Sequence, residues 1–205
     1  MALVKYNNNS LSAITAAAAM PAGAMTLIKE QTASSSATIS FIHGTSDVVF
    51  DSTYPIYVFK IINIHPATDD ARFLFQADTG TNTSYNITTT NASFRAFHTE
   101  IDDGASLDYQ TGNDLAQSTS FIRISESIGA DNDESLSGEL TIFSPSSSVF
   151  VKHYFSRFPS VSAMVRDNYV GGYFNTTTAL TRVQFKFSSG NIDSGSIKLY
   201  GIKDS

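Results

Sequence analysis

The chain has 205 residues, 41% of them hydrophobic, 12% aromatic and 16% charged, enough apolar area for one folded core and too little length for a multidomain machine. A net charge of −6 with scattered Lys and Arg excludes the basic footprint that a phosphate backbone demands, and the absence of Cys excludes disulfides, thiol catalysis and Cys-ligated metals. Wetting falls to hydroxyls and amides, from 29 Ser, 21 Thr and 12 Asn.

Residues 1–25 differ in composition from the rest: a polar Asn7-Asn8-Asn9-Ser10 run, then alanines, Pro21 and Gly23, with no sustained period of 2 or 3.6. The segment mimics a signal peptide, but the asparagines fall where a hydrophobic region should begin and the following alanines are too weakly apolar, so secretion is not expected. The sequons at Asn8, Asn82, Asn86, Asn91 and Asn175 then read as by-products of an Asn/Thr/Ser-rich surface. No apolar run is long enough for a membrane-spanning helix. Lacking a hydrophobic face of its own, the segment is expected to be an arm that becomes ordered on a partner, through Leu3, Val4, Tyr6, Leu11, Ile14 and Met20.

From residue 26 onward the pattern is β. Strands are expected at 38–42, 46–50, 56–64, 71–77, 122–125, 140–143, 148–155, 163–169, 183–187 and 197–202. In the clearest of them Val183, Phe185 and Phe187 alternate with polar neighbours, as Ala71, Phe73, Phe75 and Ala77 do. Residues 56–64 are apolar on nearly both faces, which predicts a central strand covered on each side. Gly171-Gly172 reads as a bulge or a close backbone approach. Turn chemistry separates the strands, at Asp78-Thr79-Gly80, Asp103-Gly104, Thr111-Gly112-Asn113, Ser144-Pro145 and Ser189-Gly190-Asn191. The expected fold is an all-β antiparallel sandwich of jelly-roll type over 26–205, preceded by the extended arm.

Enzymatic chemistry finds no support in these residues. The four histidines form neither an H-x-H nor an H-E-x-x-H spacing; His65 reads as satisfying a turn carbonyl, and His98 as sharing a strand face with Glu100. Acidic clusters at 69–70, 100–103 and 131–134 read as solvated tips, because Leu136 stands where a calcium loop of the EF-hand kind needs glycine. No G-x-S-x-G elbow or phosphate loop occurs. No catalytic residue, cofactor or metal is expected.

Three stretches carry a resemblance: the start Ala2-Leu3-Val4-Lys5-Tyr6-Asn7-Asn8-Asn9-Ser10, the central Tyr57-Val58-Phe59-Lys60-Ile61-Ile62-Asn63-Ile64-His65-Pro66-Ala67 followed by Ala71-Arg72-Phe73-Leu74-Phe75, and the closing Gly190-Asn191-Ile192-Asp193-Ser194-Gly195-Ser196-Ile197-Lys198-Leu199-Tyr200-Gly201-Ile202. The chain resembles structural proteins of marine tailed phages that infect cyanobacteria and related aquatic bacteria. The resemblance implies a virion component assembled in the host cytoplasm. Its expected partners are sister copies and the major capsid or tail protein of the same particle, in a capsid decoration or head/tail accessory role. The alternative it allows is a tail-fibre module that stacks host-surface sugars on Tyr85, Tyr109, Tyr169 and Tyr173.

Overall fold

The computed structural model describes residues 25–203, so the expected arm, apart from Met25, and its six candidate side chains lie outside the described residues. Thirteen strands follow in chain order: β1 (Met25–Thr32), β2 (Ile39–Ile42), β3 (Ile56–Pro66), β4 (Phe73–Thr79), β5 (Thr89–Thr99), β6 (Ala105–Tyr109), β7 (Leu115–Ser118), β8 (Ile122–Arg123), β9 (Leu136–Phe143), β10 (Lys152–Val161), β11 (Met164–Phe174), β12 (Leu180–Phe187) and β13 (Ile192–Ile202). A single 3-10 turn, Thr111–Asn113, precedes β7.

The strands form two antiparallel sheets. The larger runs β1-β13-β3-β9-β10-β11-β5-β6, with β7 also pairing β5, and the smaller runs β2-β12-β4-β8. Period-2 patterning explains how they meet. Strand β10 alternates buried and exposed along its whole length, and β12 buries Leu180, Val183, Phe185 and Phe187. Rings then interlock across the gap. Phe41 of β2 meets Phe59 of β3 edge-on at 5.3 Å, Phe59 meets Phe185 of β12 at 5.2 Å, and Phe75 of β4 meets Tyr154 of β10 at 5.2 Å. The two sheets therefore share one core, and the protein is an all-β sandwich.

Several local expectations change. Residues 46–50 are a loop, because Ser46 and Asp47 both take positive φ (50° and 68°) and no strand continues through two left-handed residues. Val48 and Phe50 are buried all the same, with Phe50 N donating to His43 Nδ1 at 2.9 Å. The strand expected from residue 148 begins only at Lys152. Between the expected alternatives at Gly171-Gly172, the close approach is what occurs: pairing of β11 with β5 and β10 runs without a shift, and a Cβ at Gly172 would stand 2.5 Å from the Thr90 carbonyl oxygen. His65 Nε2 reaches the Asp131 carbonyl at 3.1 Å, but His98 faces Asp102 at 3.0 Å instead of sharing a contact with Glu100.

Two polar groups inside the sandwich are tied down. The fully buried Lys152 ammonium donates to the carbonyls of Ser147, Phe150 and Thr176 at 2.6, 3.1 and 3.2 Å, stitching the 144–151 loop to the strand it precedes. The Tyr57 hydroxyl donates to the Asp51 carbonyl at 3.1 Å and accepts from Asp51 N at 3.0 Å. Burial pushes the Tyr57 phenol up to about 12, and burial raises Tyr154 as well. Both values lie above that of an unfolded tyrosine, about 10, so their contribution is complete below pH 10 and disappears as the pH rises through the folded values. An alkaline titration followed by phenolate absorbance should show exposed tyrosines ionising first and a later step coincident with loss of near-UV circular dichroism. All nine tyrosines ionising together near pH 10 with the fold intact would contradict this.

Candidate binding face on the large sheet

Strand β3 positions the first part of the site. Its inward residues Tyr57, Phe59 and Ile61 are buried in the core, while Ile56, Val58, Lys60 and Ile62 point the other way. No second layer covers that side among the described residues, and Ile62 is 40% exposed. On this side Val58 is itself buried by its neighbours and Ile62 is the exposed apolar residue. The two-sided apolar pattern of residues 56–64 thus marks a face that is shielded at Val58 and open toward Ile62, which corrects the expectation of a strand covered on both sides only in part.

Registered pairing extends the face across the sheet. In one row Leu27 of β1 stands opposite Tyr200 of β13, Tyr200 opposite Val58, Val58 opposite Thr141 of β9, and Thr141 opposite Phe155 of β10. Phe155, 44% exposed, packs beside Phe143 at 5.8 Å and looks across to Gly171 of β11. Because Gly171 has no side chain and its Cβ position is open, the face dips there into a hollow of about 320 Å³ walled by Phe94, Phe155, Arg157 and Tyr169.

A neighbouring row is charged at one end and aromatic at the other. Glu30, Lys198, Lys60, Glu139 and Arg157 follow one another across five strands, and Tyr169, Phe94 and Tyr109 continue the row. The charges are satisfied within the chain: Lys198 pairs with Glu30 at 3.5 Å, Lys60 with Glu139, and Arg157 forks onto Asp167 at 2.7 and 3.0 Å. Tyr169 also donates to Asp167 at 3.0 Å, and burial together with that carboxylate raises its phenol, so the hydroxyl stays a donor. Such a face offers apolar surface with no unpaired charge to desolvate.

Exposure concentrates here. Of the twelve large hydrophobic side chains exposed among the described residues, Met25, Leu27, Ile62, Phe94, Leu107, Tyr109, Phe155, Val161 and Val165 lie on this face, and only Ile101, Val149 and Phe150 lie in loops. Strand parity made each of these pointings readable in principle, but only after the strand order is known.

The tyrosines expected to stack sugars are redistributed. Tyr85 is buried beside Phe121 and leaves the set, because its backbone N is held by Asp78 at 2.7 Å and its φ of 48° turns the ring inward. Tyr169 lies on the face, but Phe94 stacks on one side of its ring at 4.7 Å with 3° between planes, and the Arg157 guanidinium covers the other at 5.1 Å. No ring face remains for a sugar. Tyr173, half-buried near His153, and Tyr109, whose phenol is raised by the adjacent Asp114 carboxylate, stay accessible on the same face. No group of three or more His, Asp or Glu that could hold a metal ion occurs among the described residues. Comparison with known proteins finds no matching family model, no matching curated protein and no matching solved structure.

Proposed function

We propose that this protein is a non-enzymatic structural subunit of a tailed-phage particle, a capsid decoration or head/tail accessory protein. It packs copy against copy through the outer face of the nine-stranded sheet and docks on the major capsid or tail protein through residues 1–25. The observation that carries the reading is the gathering of exposed apolar side chains on one charge-compensated sheet face, since patches of that kind mark association surfaces. The resemblance of the closing segment 190–202 supplies the particle; the sheet face supplies the means of assembly. Many weak copy-to-copy contacts on one scaffold add up to firm attachment.

Two measurements test it together. Sedimentation of the full chain should show an oligomer whose share grows with concentration. A variant lacking residues 2–24 should keep the melting temperature of the sandwich yet fail to enter particles, as judged by immunogold labelling. A chain that stays monomeric at every concentration, or a truncated chain that labels particles normally, would refute the corresponding half of the proposal.

A further inference from the structure

The outer face of the small sheet carries a cluster of a different kind. Lys186 of β12 stands opposite Leu74 of β4, and Leu74 opposite Arg123 of β8, so two cations flank one leucine on a single face. Arg72, the residue just before β4, adds a third; Arg72 N donates to Ser188 Oγ at 3.0 Å and Ser188 N donates to the Arg72 carbonyl at 2.9 Å. Residues 112–121 pass over this end of the sheet and leave a pocket of about 270 Å³ between themselves and the two arginines. Phe121 closes one side, with Lys186 Nζ 4.1 Å from its ring centroid.

These cations lack acids. Among the described residues the ion pairs employ Lys60, Arg95, Arg157 and Lys198 with His65 and His98, and none employs Arg72, Arg123 or Lys186. Arg123 donates to the Asn113 side-chain oxygen, and the Asn113 amide donates onward to Glu126 at 2.5 Å, so Glu126 makes no salt bridge with Arg123 and its carboxylate is engaged by Asn113. Arg72 Nε is buried with no partner among the described residues. A guanidinium with unmet donors in a half-dry pocket is costly, and a second guanidinium beside it adds repulsion. Burial, then the neighbouring Arg72, holds Arg123 below the usual arginine range although Glu126 pulls the other way. In a chain with more acids than bases, two arginines lining a pocket that no carboxylate lines, with Lys186 beside it on Phe121, form a site that an incoming anion completes.

We infer that this pocket binds the oxyanion of a small ligand, a carboxylate or a phosphate. Arg72 and Arg123 grip the anion, the Ser188 hydroxyl lies beside them, and Lys186 with Phe121 forms the rim. The site lies on the opposite side of the sandwich from the assembly face and does not depend on it.

The test is an NMR titration of the arginine Nε–H resonances of the full chain at fixed ionic strength, with inorganic phosphate, glucuronate, and glucose as the neutral control. At least one anion should shift Arg72 and Arg123 saturably while glucose does not; which anion does so identifies phosphate or carboxylate as the preferred group. Arg157, already forked onto Asp167, should stay still. Arg72→Gln and Arg123→Gln should each weaken binding by about tenfold or more, the loss of one charge-assisted contact. If a Gln variant unfolds, the corresponding Lys variant keeps the charge without the fork and should still bind more weakly than the parent. Absence of saturable shifts with both anions, shifts undiminished in the variants, or Arg157 moving in parallel would overturn the inference.

Discussion

On the assembly proposed above, replacing Phe155 by Asp should leave the protein monomeric while keeping its melting temperature within a degree or two. Phe155 is 44% exposed on the outer side of β10, where its neighbours are Thr141, Phe143 and the open position of Gly171. In the single chain the substitution removes little buried area, and exposed substitutions of this kind shift stability by about 0.5 kcal/mol. In the assembled state it loses an aromatic contact and seals a carboxylate into an interface whose own charges are already paired, which costs several kcal/mol. The association constant should therefore fall by about a hundredfold or more, as 2.7 kcal/mol corresponds to that factor. Val149→Asp, at a still more exposed loop position off the face, is the control and should leave sedimentation unchanged. If Phe155→Asp associates like the parent, some other surface joins the copies.

What the sequence discloses and what it hides follow from the range of the interactions. Alternation in 183–187 reports burial through local periodicity alone, and β12 lies where that periodicity puts it. In 71–77 it places Ala71, Phe73, Phe75 and Ala77 in the core but misses Gln76, which is fully buried, in a strand that runs from Phe73 to Thr79. The loop at 46–50 deceives because its apolar residues serve the core from an irregular backbone: Val48 is only 2% exposed without being in a strand. Lys152 falls in the strand expected over 148–155, and nothing local announces that three carbonyls converge on it. The division into nine and four strands is long-range information; β13, the last strand, inserts between β1 and β3. The same holds for both candidate surfaces. The outer face of the large sheet joins residues 27, 58, 155 and 200, and the cationic pocket joins 72, 123 and 188, positions that become neighbours only through strand pairing. Where the apolar signal of residues 56–64 was strong, its ambiguity was physical: a strand buried on both sides and a strand with an exposed sticky side share one pattern.

Phe185→Ala should have the largest effect on the fold, costing about 3–5 kcal/mol. Phe185 is fully buried at the centre of the ring cluster, 5.2 Å from Phe59 of the facing sheet and 5.8 Å from Phe73, on which it stacks at 12°. Phe41 and Phe75 lie 6.4 and 6.3 Å away, so removal of the ring takes contacts from four aromatics in three other strands at once. Those neighbours cannot collapse into the void. Phe41 and Phe75 are carried on β2 and β4, both hydrogen-bonded in fixed register to β12 itself, and Phe59 belongs to the other sheet. The cost therefore includes a cavity penalty in addition to lost transfer free energy. For a domain of this length the melting temperature should drop by about 10 °C. Phe185→Leu, which keeps most of the volume, should lose about 1–2 kcal/mol. Thermal unfolding by near-UV circular dichroism measures both. Equal losses for Ala and Leu would mean that ring geometry outweighs filled volume at this site, and a negligible loss for Ala would mean that the two sheets do not depend on this cluster to stay together.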